Sequence, residues 1–353
     1  MASSLTVLGF LLVVLFCTSI SNTLALLVSS PQVLLSYHNG PLLSGPEPIK
    51  LSLTFYGDFE ASERSTLRRF LASLSPSGLQ QSRRFLRGSP LSVYADRSVS
   101  AWWSITQQYA DLHGRHVSQR VEIVKEVNDD YSLGKQLKSS DIAVLARSSV
   151  DVGKPNSLAL VFTSADVAVD GFCMHSCGAH SFTSLIDDGE QHAAAVTHEN
   201  SGDDRVQGSI SHTLMSYVWV GNSKLQCPGF CAWPFEKPQY GPDMAPLKPP
   251  NSVGVDGMII SLAKLLVSAA TNPFGDAFYQ GDDASYRPEA GQICGAKFGA
   301  GAYPGYPGKI LQDADSGASY NMEGSNGERF MVPWIWDPTS KSCVGQPSTA
   351  VQI

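Results

Sequence analysis

The sequence predicts an α/β fold: a layered mixed sheet with flanking helices, followed by an irregular, disulfide-braced C-terminal part. Three observations carry this. Strand-type and helix-type segments alternate between residues 49 and 275, the pattern of a sheet covered by helices. One strand, Ser157–Thr163 (SLALVFT), is almost wholly apolar, as a central strand buried on both faces must be. From residue 276 onward periodicity gives way to Gly, Pro and aromatic residues, with regular structure expected only around Arg329–Trp336.

Residues 1–25 read as a secretory signal peptide. The apolar run Leu5–Cys17 is too short to span a bilayer, and Thr23-Leu24-Ala25 offers a small-residue cleavage site. The n-region lacks Lys and Arg. The rest, 26–353, is expected to form one domain, soluble after export, with an α/β body over 49–275 and the irregular part over 276–353. No later stretch is expected to cross a membrane.

Residues 26–48 form a polar lead-in. Ile49–Tyr56 alternates Leu51, Leu53 and Phe55 with Ser52 and Thr54, a half-buried strand. A helix follows over 61–74, with Leu67, Phe70, Leu71 and Leu74 on one face. Residues 76–97 carry Arg83, Arg84, Arg87 and Arg97 and read as a solvated basic loop. Ser98 caps a helix running to Leu112, with Val99, Trp102, Thr106, Tyr109 and Leu112 along one side. Trp102 reads as core; Trp103 is a candidate for stacking on a sugar. A strand over Val121–Val127 and a helix over 139–149, capped by Ser139 or Ser140, lead to the buried strand. Asp170–His180 holds two cysteines, and Ser181–Thr213, rich in acids, reads as a surface loop.

Tyr217–Val220 is a further strand. Gly221-Asn222-Ser223 breaks it, and Cys227, Pro228-Gly229, Cys231 and Trp233-Pro234-Phe235 follow as a rigid knot at the strand end. Gly257–Thr271 is the strongest helix of the chain, stopped by Asn272-Pro273.

Beyond the signal six cysteines remain, and an even count in an exported chain predicts three disulfides. Matched C-x3-C spacing favours Cys173–Cys177 and Cys227–Cys231, leaving Cys294–Cys343 to staple the tail. A zinc site is the weaker reading, because the spacing is not C-x2-C. His198-Glu199 opens like a zinc-peptidase helix, but Gly202 stands where the second ligand belongs. His175, His180, His192, His198 and His212 crowd one stretch, yet no metal or cofactor is expected. There is no G-x-S-x-G elbow, and Gly299–Gly308 (GAGAYPGYPG) reads as successive turns and fails the phosphate-loop spacing. The net charge of -7 argues against nucleic acid and anionic membranes. The candidate binding residues are therefore aromatic: Trp219, Trp233 and Phe235 at the knot, with Trp103, and His180 at the end of the first cysteine stretch.

Together LTFYG (53–57), the Trp102-Trp103 helix, GFC-x3-CG-x-H (171–180), YVWVGNS-x3-CPG-x-CAWPF (217–235), VGVDGMI (253–259), TNPF (271–274), YPGYPG (303–308) and WDP-x4-C (336–343) resemble the plant EXORDIUM, or phosphate-induced, family over nearly the whole mature chain. The resemblance implies a secreted apoplastic or cell-wall protein. It further implies a role in cell expansion and growth tied to brassinosteroid and to carbon or phosphate status, and it supplies no catalytic residues. The element order also resembles a zincin-type metallopeptidase layout whose ligand positions hold Gly257-Met258, a scaffold without its metal site. The expected activity is non-enzymatic binding of a wall polysaccharide or an extracellular receptor. The competing expectation is a secreted hydrolase of wall polysaccharide or peptide.

Overall fold

The computed structural model describes Val33 and residues 35–76, 96–150, 154–185, 214–238, 244–282 and 287–346. The described residues from Leu35 onward form one compact unit. The expected signal peptide, Arg83, Arg84 and Arg87, the acid-rich stretch from 186 to 213, and His192, His198 and His212 lie outside the described residues.

After a short strand β1 (Leu35–Tyr37), the body runs β2 (Ile49–Tyr56), α1 (Ala61–Ala72), α2 (Val99–Trp103), β3 (Val121–Asp129), α3 (Ser139–Ser149), β4 (Ser157–Thr163), β5 (Gly178–Ser184), β6 (Leu214–Gly221), α4 (Pro228–Cys231) and α5 (Val253–Thr271). The main sheet has the order β3-β2-β4-β6-β5. Its strands are parallel except β5, which runs antiparallel to β6 along one edge. Leu53, Leu160, Val218 and His180 are successive partners across β2, β4, β6 and β5. The first three pack into a core with α1, α2 and α5, so register carries His180 to the edge of that same face. On the opposite face Ile142, Leu145 and Ala146 of α3 pack against Ala159, Val161, Tyr217 and Trp219.

The predicted mixed α/β layering is present, with four corrections. The helix from Ser98 stops at Trp103 and continues only as a 3-10 turn to Gln108. Beyond it Asp111 accepts the N–H groups of His113 and Arg115, the Arg115 Nε–H and the Ser44 hydroxyl, and this carboxylate-centred loop replaces further helix. Burial alone would raise the Asp111 pKa, but those bonds hold it at about 2. Leu112, expected on the apolar side, is 64% exposed.

Second, residues 181–184 extend an edge strand, β5, into the expected polar loop, and the strand carrying the knot is interior. Third, α3 covers the expected residues 139–149 but is capped by neither Ser139 nor Ser140. Its cap is Lys138, whose backbone N–H donates to Asp141 Oδ2 at 2.7 Å. Fourth, α5 is longer than expected and long and apolar enough to cross a membrane by length and composition; here 89% of that stretch is buried inside the fold. Ser252 caps it, its hydroxyl accepting the Val255 N–H.

The C-terminal part is tied on by discrete contacts. β7 (Phe278–Gln280) pairs with β1, a short α6 (Ala290–Ile293) packs on α5, and β8 (Ile335–Asp337) pairs with β9 (Ser342–Val344). Asn321 donates through Nδ2 to the carbonyls of Phe298 and Val332 and accepts the Val332 N–H, so one buried amide organises two turns of chain.

Candidate functional site

The site grows from the end of β6. Trp219 is held in place, not presented. It is 4% exposed, its indole N–H donates to Thr163 Oγ1 at 3.1 Å, and Phe172 meets its ring edge-on at 5.7 Å. After Gly221, the Asn222 side chain accepts the Lys224 N–H and opens a 3-10 turn. Asn222 also donates to Glu63 of α1 at 3.1 Å, which locks the strand end to the body. The single helical turn α4 follows, with Pro228 at its start, where a missing N–H costs nothing.

The disulfides cross between two segments. Cys173 joins Cys227 and Cys177 joins Cys231, with Cα–Cα distances of 5.6 and 5.4 Å. This corrects the local pairing expected from spacing; only Cys294–Cys343 agrees with it. The reason is tertiary. Cys177 immediately precedes β5, whose antiparallel pairing with β6 lays the 173–177 loop beside α4. Adjacent strands thus bring the two cysteine pairs face to face, a proximity that chain spacing does not contain.

Beyond α4 the chain passes through a cis Trp233-Pro234 bond into Phe235. Phe235 is buried with Ile260, Phe298 and Met331. Gly257 of α5 permits this seating, since a Cβ there would lie 2.8 Å from Ala232 Cβ. The position that holds a ligand in the zincin comparison serves here as a packing contact. Of the expected aromatic binding residues, Trp103 is 1% exposed and donates to the Ser118 carbonyl, and Trp219 and Phe235 are core. Trp233 alone reaches the surface. It packs on Phe298 at 5.7 Å and lines a shallow groove with Pro234, Pro238, Met244, Leu247 and Pro307. The groove encloses about 20 Å³, room for roughly one water and too little for a buried sugar ring.

A second aromatic surface flanks it. The YPGYPG stretch forms a turn in which Tyr303 and Tyr306 exchange backbone hydrogen bonds and set their rings 5.1 Å apart. Tyr303 is 64% exposed, and Gly305 and Pro307 of the same turn line the groove. Sequence reading treated this segment as turns alone. Its two tyrosines were the available signal, because a turn that needs only Gly and Pro has no reason to carry exposed rings.

His180 lies elsewhere. Its Nε2 is 2.9 and 2.7 Å from the two carboxylate oxygens of Glu289, at the head of α6. Asn272, at the end of α5, donates to Glu289 at 2.6 Å and accepts the Ala277 N–H. With a carboxylate at Nε2, that nitrogen carries the hydrogen; Nδ1 is buried without a partner. The three side chains join β5, α5 and α6; those of His180 and Glu289 are 9% and 10% exposed, and none of the three lines the groove beside Trp233. They brace the C-terminal part. Among the described residues no group of three or more His, Cys, Asp or Glu is placed to hold a metal ion.

Comparison with known proteins places this architecture. A family model described as "Phosphate-induced protein 1 conserved region" matches residues 35–346, the span from β1 past β9. The chain is 39% identical to Protein PHOSPHATE-INDUCED 1 of Nicotiana tabacum over 348 residues, covering 97% of this chain and 99% of that protein. It is also 39% identical to Protein EXORDIUM-like 1 of Arabidopsis thaliana, covering 87% of this chain and 88% of that one, and 39% identical to Protein EXORDIUM of the same plant, covering 88% of each. No solved structure matches. With the family model spanning the knot, the tyrosine turn and the braced C-terminal part, and relatives at this identity over most of their length, the chain belongs to the phosphate-induced protein 1 family, which includes the EXORDIUM proteins.

Proposed function

We propose that the chain is a secreted apoplastic protein that regulates cell expansion by binding a cell-wall glycan at the Trp233 groove and the Tyr303–Tyr306 turn. The observation that carries the reading is the pair of half-open aromatic surfaces on a disulfide-fixed support. Aromatic faces stack on the apolar faces of sugar rings, and a rigid support lowers the ordering cost of binding. Three disulfides suit an oxidising space outside the cell, and the apolar run Leu5–Cys17 supplies the export signal. A growth role linked to brassinosteroid and nutrient status follows the family. The groove is shallow, and the His180–Glu289 pair is nearly buried and not among the residues that line it, so binding fits the geometry better than hydrolysis.

The test is binding of the oxidised protein to an array of plant wall polysaccharides, with Tyr303→Ala and Trp233→Ala alongside. Saturable binding weakened about tenfold by Tyr303→Ala, the equivalent of about 1.4 kcal/mol, supports the reading. Wild-type protein that binds no glycan, or binding that both variants leave intact, overturns it.

A further inference from the structure

The two crossed disulfides of the knot lie in contact with each other: Cys227 Sγ and Cys231 Sγ, which belong to different bridges, are 3.5 Å apart. We infer that the knot is an exchangeable pair of disulfides, able to pass between the crossed pairing and a local pairing, Cys173–Cys177 with Cys227–Cys231, when a small-molecule thiol is present. The inference stands on the geometry of the knot and does not depend on the glycan reading.

Disulfide exchange requires a thiolate to reach a disulfide sulfur. An external thiolate attacks Cys177 Sγ, forms a mixed disulfide there and expels the Cys231 thiolate. That choice of sulfur follows from burial, since Cys177 is half-buried and Cys231 is buried. The Cys231 thiolate then attacks Cys227 Sγ, its neighbour at 3.5 Å. The Cys227–Cys231 bond forms, the Cys173–Cys227 bond breaks, and the Cys173 thiolate leaves. It attacks Cys177 Sγ in the mixed disulfide, closes Cys173–Cys177 and returns the external thiolate. Each step breaks one S–S bond and makes one. No electrons are gained or lost, and the thiol acts as a catalyst.

Each local pair bounds a single turn of the backbone already present. Cys227 and Cys231 bound one helical turn, with the Cys231 N–H donating to the Cys227 carbonyl at 3.0 Å. Residues four apart on a helix have Cα atoms about 6 Å apart, within disulfide reach. Cys173 and Cys177 bound a loop closed by the Cys173 N–H donating to the Ser176 carbonyl, and Cys173 takes a left-handed φ of 66° in it. In the local pairing nothing covalent joins α4 to the 173–177 loop. The β5–β6 pairing, the Gly221 N–H bond to the Cys177 carbonyl and the Phe172–Trp219 contact then hold this junction without a covalent tie.

The experiment incubates the full oxidised chain with a glutathione redox buffer, quenches it in acid and maps the bridges by mass spectrometry. Met174, Leu225 and Phe230 separate the four cysteines onto different fragments and are 83%, 70% and 52% exposed, so cleavage after all three distinguishes local from crossed bridges. Crossed bridges alone are expected before incubation. Afterwards local bridges in roughly 1 to 10% of molecules, a typical minor-state population, with no free thiol, support the inference. Crossed bridges alone after incubation overturn it. Cys177→Ser is the second arm and needs no added thiol, because it leaves the Cys231 thiol beside the Cys173–Cys227 bond. Appearance of Cys227–Cys231 with a free Cys173 supports exchange; retention of Cys173–Cys227 with Cys231 as the sole free thiol overturns it.

Discussion

The α/β body and the C-terminal part are held together by different physics. In the body, strands such as β4 are buried along nearly their whole length, and α1, α3 and α5 cover the two faces with continuous apolar contact. Loss of one contact there is cushioned by many others. Among the described residues, the part beyond residue 276 has only two-stranded pairings. It holds its place through side chains that each do several jobs: Asn321 between two turns, Glu289 between His180 and Asn272, and the indole of Trp102 donating to the Pro333 carbonyl at 2.8 Å. Distributed burial tolerates substitution better than a few buried polar links, whose removal strands the partner without solvent.

The most damaging single change should fall where the two regimes meet. Trp102 is fully buried in the body core and its N–H reaches into the C-terminal part. Trp102→Ala removes a large core side chain and leaves the Pro333 carbonyl unsatisfied, at a cost of about 4 kcal/mol. Denaturant unfolding of the oxidised protein measures it. A loss under about 1 kcal/mol would mean the two regions are not coupled through this residue.

The same contrast sets what the sequence could reveal. Period-2 and period-3.6 patterns located β2, α1 and α5, and an unbroken apolar run located β4, because burial on a regular face leaves a regular trace. The helix beyond Ser98 was overextended because Tyr109 and Leu112 continue its stripe, whereas Asp111 closes a loop with hydrogen bonds that no periodicity records. Strand β5 was hidden for a related reason: at the sheet edge, Gly178–Ser184 needs little apolar character. The crossed disulfides followed from its unrecognised pairing with β6. Aromatic type alone nominated Trp103, Trp219 and Phe235 for the surface, although large rings in a chain of this size more often fill the core.

A pH titration sharpens the comparison at the join. Asp256, in the first turn of α5, accepts the Asn251 backbone N–H and Nδ2–H, and Asn251 also reaches the Arg329 carbonyl of the C-terminal part. Burial dominates the bonds to Asn251 and lifts the Asp256 pKa from 3.8 to about 7. A folded pKa above the unfolded one means the folded state keeps its proton longer. The associated stability is complete below 3.8 and is lost as pH rises toward 7. The full linkage is about 4 kcal/mol, and about 2 kcal/mol is expected once relaxation around the ionised carboxylate is allowed. Asp256→Asn should flatten that slope, read as unfolding free energy against pH. An unchanged slope would show that other groups set it.

The gentlest probe is Tyr109→Phe. The Tyr109 ring is buried, meets Phe278 edge-on at 4.9 Å, and its hydroxyl donates to the Trp336 carbonyl at 2.6 Å. The substitution keeps the ring and its packing and removes one polar tie between body and C-terminal part. Its expected cost is about 1 kcal/mol, the net value of one buried hydrogen bond. A second readout separates the bond from general loosening. Burial, reinforced by the Asp337 carboxylate, pushes the phenol well above its ordinary value of 10.0. Its stability contribution is therefore complete below pH 10.0 and is lost as pH rises through the folded-state pKa, a loss the phenylalanine variant cannot show. If polar ties carry the C-terminal part, Tyr109→Phe should loosen residues 333–344 selectively, seen as faster amide exchange there with β4 unaffected. Equal acceleration in both regions would mean that the body and the C-terminal part unfold as one unit, and the distinction between their modes of attachment would lose its thermodynamic meaning.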